Sequence, residues 1–136
     1  MATQGVDCQV VLDGNGYMLA PSGYIMKRPR LRKATVAKGG MERYVDAGPG
    51  KHEWSLRILA LTQLNDFSGQ LLAVQGVAIR NNLVASYAKV ATVLTFVDLD
   101  GTSYQVHFDS YEEHVVDPRT QVTGVSYHVD IVLTEA

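Results

Sequence analysis

The sequence predicts a mainly β domain, a sandwich or split barrel, with one α-helix inserted between strands. Three observations carry this reading. Short extended segments recur along the chain, separated by glycine-containing turns. One window, at about residues 68–89, switches to the three-and-four spacing of a helix face. Two segments place apolar residues at every second position, the period of one strand face: Trp54, Leu56, Ile58 and Ala60, then Tyr127, Val129, Ile131 and Leu133. A chain of 136 residues with 46% hydrophobic and 19% charged residues is long enough to bury one real core, so a single domain over 1–136 is expected.

Taken in order, Gln9 to Leu12 reads as a strand, and Asp13-Gly14-Asn15-Gly16 as a tight turn of residues that tolerate positive φ. Tyr17 to Leu19 reads as the return strand, and Ala20-Pro21-Ser22-Gly23 as a second turn. Tyr24 starts an extended piece that runs into Lys27-Arg28-Pro29-Arg30-Leu31-Arg32-Lys33. Pro29 has no N–H for a ladder, which marks that run as an edge or a projecting loop, at about 24–50. Gly39-Gly40 and Gly48-Pro49-Gly50 are further breaks. His52 to Leu61 is the clearest strand of the first half, and both its faces grow apolar toward its end, as in a strand covered on two sides.

In the helical window Leu72, Gly76, Ile79, Leu83 and Tyr87 share one face, with Asp66 or Ser68 as the expected cap. Gly76 and Asn81-Asn82 are poor helix-interior residues and point to a kink or break. Val90 to Val97 reads as a central strand. Asp98-Leu99-Asp100-Gly101 turns the chain into a strand with Tyr104, Val106 and Phe108 facing inward. Glu112 to Val116 continues extended, Asp117-Pro118-Arg119 turns, and Ser126 to Thr134 is the last of seven or eight strands.

Net charge is only −2, but its distribution is uneven. Nine of the twelve Lys and Arg lie between Lys27 and Arg57, whereas Asp98 to Ala136 holds eight acids and one base, Arg119. The single Cys8 excludes an intrachain disulfide and a multi-cysteine zinc motif, and reads as a thiol without chemistry. The polar start MATQGVDCQ lacks the apolar core of a signal peptide, and no apolar run approaches the ~20 residues of a membrane span. These features lead us to expect a soluble product made in the cytoplasm.

Candidate chemistry is sparse. Two His-x-Asp pairs, His107 with Asp109 and His128 with Asp130, would meet as a metal site if their strands were neighbours in the right register; two polar outer strand faces explain them as well. Asp98-x-Asp100-Gly101 lacks the remaining ligands of a calcium loop and reads as a β-turn. Neither Gly14-Asn15-Gly16 nor Gly48-Pro49-Gly50 opens a helix after a buried strand, as a phosphate cradle requires. There is no G-x-S-x-G elbow, and Glu112-Glu113-His114 reads as solvated surface. No catalytic residue, metal or cofactor is expected.

The basic run offers two functional readings beside that of a solvated loop. As a nucleic-acid-binding module, the 27–38 segment would neutralise phosphates, with Tyr24 and Tyr44 near enough to stack on bases. As one half of a protein contact, Lys27, Arg28, Arg30, Arg32 and Lys33 would meet the acidic C-terminal third (Glu112, Glu113, Asp117) of an identical subunit, head to tail.

The glycine turns leading into the Trp strand, GPGKHEWSLRILAL at 48–61, the late hairpin VLTFVDLDGTSYQVHF at 93–108 and the terminal strand SYHVDIVLTEA at 126–136 resemble the structural proteins of long-tailed bacteriophages. The likeness is to the fold shared by tail-tube, distal-tail and tail-completion proteins, and covers nearly the whole length in element order. It implies a non-enzymatic virion protein that assembles as a ring, commonly a hexamer or trimer, with neighbouring virion proteins as partners. The lumen of such a ring passes DNA, and the segment from Lys27 to Gly50 would be an arm between subunits or rings. Capsid decoration proteins are also small β-rich assemblers, and the same features fit them.

Overall fold

The computed structural model describes residues 4–36, 42–61, 64–70, 76–117 and 125–136. It is mainly β, as the sequence predicts, with one helix among the described residues lying between strands. The first hairpin pairs β1 (Val10–Leu12) with β2 (Asn15–Tyr17). Its loop is shorter than the expected four-residue turn: Asp13 (φ 52°) and Gly14 (φ 81°) alone form it. Two successive positive φ values match the right-handed twist of a two-residue hairpin.

Only Met18 separates β2 from β3 (Leu19–Lys27). The expected turn at Ala20-Pro21-Ser22-Gly23 is instead a wide bulge within β3. Leu19 pairs with Ile58 and Tyr24 with Leu56, so four residues of β3 stand against Arg57 alone on β6 (Glu53–Ala60). Ser22 takes φ 59°, and a Cβ on Gly23 would lie 2.8 Å from the Ala20 carbonyl oxygen, so this position has no room for a side chain.

The sheet continues through β7 (Leu94–Val97), β8 (Ser103–Asp117) and β9 (Ser126–Glu135), in the order β2-β1-β7-β8-β9-β6-β3. Its two end strands are therefore consecutive in the chain, and the curled sheet is a split barrel whose ends are joined covalently through Met18. Side chains draw the split together. The Gln9 side-chain oxygen accepts from Leu19 N at 2.6 Å, and Tyr24 Oη donates to Asp98 Oδ1 at 2.7 Å. Burial, together with that hydrogen bond, raises the Tyr24 phenol well above its ordinary pKa and keeps it a donor.

The core lies inside the curl. Trp54, Leu56, Ile58 and Ala60 of β6, and Val129, Ile131 and Leu133 of β9, are all buried, on the faces the alternation assigns. On the opposite face Ser55 and Arg57 are exposed, while Leu59 and Leu61, at the end where both faces grow apolar, are partly buried against the core. The β7 strand is shorter than expected: Ala91 turns at φ 54° and Val90 is 86% exposed, so the apolar run 90–93 leaves the helix as a loop.

Helix α1 (Gly76–Tyr87) packs on β6, β8 and β9 and buries Gly76, Ile79, Leu83 and Ser86. It begins later than the predicted 68–89, and Leu72 lies outside the described residues. The expected cap does another job. Asp66 Oδ1 accepts from Ser68 N, Ser68 Oγ and Gln70 N, which makes a turn of its own and holds the carboxyl below its ordinary pKa, chiefly through the Ser68 hydroxyl. Gly76 is where the helix touches the sheet: a Cβ there would fall 2.3 Å from the Ala60 carbonyl oxygen.

Arg80, one turn into the helix, forks onto Glu113 of β8 at 2.8 and 3.0 Å and lies over the Tyr127 ring. That pairing lowers the Glu113 pKa, so the pair stabilises the fold above pH ~4.3 and loses its contribution as pH falls through the depressed folded value. Both side chains are about one-third exposed. Replacing Arg80 by Met is therefore expected to cost ~1–2 kcal/mol at neutral pH, read by urea unfolding. The difference from the parent chain should shrink when the titration is repeated in acid, below the folded pKa of Glu113. A pH-independent difference would assign the loss to packing of the Arg80 stem instead.

Candidate functional site

Strands β4 (Arg30–Val36) and β5 (Glu42–Pro49) form a second, two-stranded sheet outside the barrel. They pair with each other, and no other described element makes more than marginal contact with either. The predicted basic run spans the end of β3, the connection at Arg28-Pro29 and the start of this ribbon. Lys27, Arg28, Arg30 and Arg32 are exposed, as is Leu31 at 55%; the side chain of Lys33 lies outside the described residues, as does the expected turn at Gly39-Gly40.

The two ends of the ribbon are tied to each other where they leave the barrel strands. Arg28 Nε donates to Gly50 O at 2.9 Å, and Gly50 N donates to Pro29 O. A Cβ on Gly50 would sit 2.8 Å from that same oxygen, so glycine permits the closure. Beside it His52 N and Nδ1 both lie within 3.0 Å of Glu135 Oε1. The His52 backbone bond first, then its ring, and more weakly the Arg28 charge, lower the Glu135 pKa. One acid of the C-terminal third thus already lies in the field of the basic run within a single subunit.

The other acids of the predicted contact separate. Glu112 and Glu113 are neighbours on β8 and take opposite faces. Glu113 turns inward to Arg80, while Glu112 turns outward with a side chain 66% exposed. Asp117 pairs in register with Ser126, and its side chain lies outside the described residues, as do Pro118 and Arg119 of the expected turn.

The outer face of β6, β9 and β8 carries three cross-strand rows: Ser55–Val132–Ser110, Arg57–Asp130–Glu112 and Leu59–His128–His114. Arg57 forks onto Asp130 at 2.8 and 3.1 Å and lowers its pKa, with His114 a lesser cause. His114 Nε2 stands 3.0 Å from Glu112 Oε1 and 3.3 Å from Asp130 Oδ2. The β3 bulge and a second bulge at Asp109, next to Ser110, border this face and leave a groove of about 480 Å³.

The two His-x-Asp pairs do lie on neighbouring strands, but in the wrong register. His107 faces Thr134 and His128 faces His114, so the two histidines stand roughly 20 Å apart along the ladder. Asp109 accepts a hydrogen bond from the Thr134 hydroxyl instead. Among the described residues no group of three or more His, Cys, Asp and Glu is placed to hold a metal ion. Sequence reasoning missed His114 as the partner of Asp130 because that contact depends on the β8–β9 register, which no local pattern encodes. Cys8 is fully buried, which with Asp7 nearby pushes its thiol up to about 11. No helix among the described residues is long and apolar enough to cross a membrane.

No protein-family model matches this chain, and no curated protein matches it either.

Proposed function

We propose that this chain is a non-enzymatic structural protein of a virion, one that self-assembles into a ring or tube of a phage tail in the manner of tail-tube, distal-tail or tail-completion proteins. The observation that carries the reading is the β4–β5 ribbon, which is separate from the barrel sheet and makes no more than marginal contact with any other described element. An isolated two-stranded ribbon is marginal in water, so a partner that covers it is the economical source of its order. Its charge suits a docking element: seven bases and two acids lie between Lys27 and Gly50, against eight acids and one base after Val97. Unlike poles on one subunit favour head-to-tail contacts, which close into rings or propagate as tubes. Exposed Ile25, Met26 and Leu31 at the ribbon's root supply apolar area to such a contact.

Mass photometry over a dilution series, with negative-stain images of the same sample, tests this. A discrete ring or a growing tube is expected, and a monomer at every concentration would remove the reading. Immunogold labelling of intact virions separates a tail position from capsid decoration. Salt-sensitive retardation of DNA by a monomeric protein, lost on replacing Arg28, Arg30 and Arg32 by Glu, would favour the nucleic-acid-binding alternative.

A further inference from the structure

We propose that the groove on the outer face of β6, β9 and β8 receives the basic ribbon of a second copy of this chain, with Glu112 as its main charge partner. The inference rests on the self-assembly reading and gives that assembly a specific contact.

The groove is bordered by two interruptions of the sheet. On one side the Pro21-Ser22-Gly23 bulge of β3 rises where Arg57, paired with Asp130 of β9, has no register partner on β3. On the other, β8 bulges at Asp109, next to Ser110. Bulges of this kind re-aim side chains and end regular pairing. The volume of about 480 Å³ falls within the ~300–1,000 Å³ of clefts that hold ligands. Ile25 and Val132 provide apolar wall, and Ser55 and Ser110 provide hydroxyls.

Its charge selects the occupant. Glu112 and Asp130 are direct cross-strand partners, while Arg57 is the single guanidinium among the lining residues. Arg57 is engaged by Asp130 through both of its hydrogen bonds to the groove, and Glu112, the more exposed carboxylate, is left with His114 beside it. The surplus is negative and repels phosphate, so this groove does not suit nucleic acid. A cationic, partly apolar segment suits it, and the segment of this chain with that chemistry is the start of the ribbon. Arg30 and Arg32 lie on one strand face about 7 Å apart, and exposed Leu31 lies on the other. The ribbon root adjoins the Glu53–Thr134 end of the sheet, where Lys27 pairs with Glu53, and Arg28 and Gly50 close it. In its own subunit the ribbon makes at most marginal contact with the barrel strands. The groove and the ribbon are different surfaces of one subunit, with Ile25 lying between them, so their contact between two copies is heterologous and repeats around a ring or along a tube.

Sedimentation velocity on the full chain tests the contact with four proteins: the parent, Glu112→Arg, Arg30→Glu and the two combined. Both positions are exposed, and circular dichroism and melting read beside the sedimentation establish that each variant is folded before its assembly is compared. Each single reversal is expected to weaken assembly by about tenfold, and the combination to restore most of it. If Glu112→Arg fails to fold, Glu112→Gln takes its place, with a several-fold weakening expected. Parent-like assembly by the folded Glu112 variant overturns the groove contact and leaves self-assembly standing. Two weakened singles without recovery in the combination also overturn it. A monomeric parent overturns both this contact and the reading beneath it.

Discussion

Replacing Trp54 by alanine is expected to remove about 3–5 kcal/mol of folding stability and to lower the melting temperature by roughly 10–15 °C. Trp54 is fully buried and is the largest side chain of the core. Its ring meets His52 face to face at 5.4 Å, and Phe96 and Tyr104 in tilted arrangements at 5.0 and 4.9 Å. It therefore joins β6 to β7 and to the start of β8 across the inside of the curl. Its indole N–H also points at Asp98 Oδ2, 3.4 Å away, and Asp98 in turn holds Tyr24 across the split. Truncation empties the centre of the barrel and leaves Asp98 with one donor fewer. A domain with ~5–15 kcal/mol of total stability loses a large part of it. Urea unfolding with a parent-like m-value and a lower midpoint is the expected signature. A loss below ~1 kcal/mol would mean that the ring is not packed as described.

Gly76→Ala is expected to destabilise by about 2 kcal/mol, and Gly76→Val by more. Helix propensity alone gives the opposite sign, since alanine exceeds glycine by ~1 kcal/mol within a helix. Packing decides the matter. The new Cβ would lie 2.3 Å from the Ala60 carbonyl oxygen and 2.9 Å from its carbon, atoms of a backbone held in the β6–β9 ladder. A flexible side chain could move aside, whereas this backbone cannot. The helix must shift outward, which loosens Ile79 and Leu83 from the core. Differential scanning calorimetry of the alanine variant reads the sign directly, and a higher melting temperature would refute the close approach.

The parts of the fold legible in the sequence are those set by local period. The strands Glu53–Ala60 and Ser126–Glu135 lie where alternation puts them, and their inward faces are the predicted ones. The helix face Gly76, Ile79 and Leu83 is likewise the predicted face. What alternation cannot show is register. The sheet closes because β2 and β3 continue one another through Met18 while pairing with different strands, and nothing in residues 15–27 reveals two partners. The Pro21–Gly23 segment has turn composition, yet the chain stays extended on both sides of it, because Tyr24 to Lys27 return to the β6 ladder. Asp66 was an adequate cap by composition, but its hydrogen bonds close a turn ahead of the helix.

The candidate site divides in the same way. The basic run and its proline suggest an edge or a projecting loop at about 24–50; its start lies in β3 of the main sheet and its continuation in the separate β4–β5 ribbon, a division that composition does not reveal. The acidic side was legible only as a region. Consecutive residues of a strand cannot share a face, so Glu112 and Glu113 could not act together, and Glu113 serves the helix through Arg80. The outer-face partners of Glu112, namely Asp130, Arg57 and His114, come from three strands and appear only once those strands are in register.

If the ribbon is an assembly element, as we propose, rather than part of the barrel's own stability, removing it abolishes assembly and leaves the barrel folded. Native mass spectrometry of the parent chain beside a variant with a short glycine linker in place of Arg30–Pro49 tests this most directly. A discrete oligomer is expected for the parent, and for the variant a folded monomer with a melting temperature near that of the parent monomer. An assembled variant, or a parent chain that is monomeric at all concentrations, would contradict the proposal.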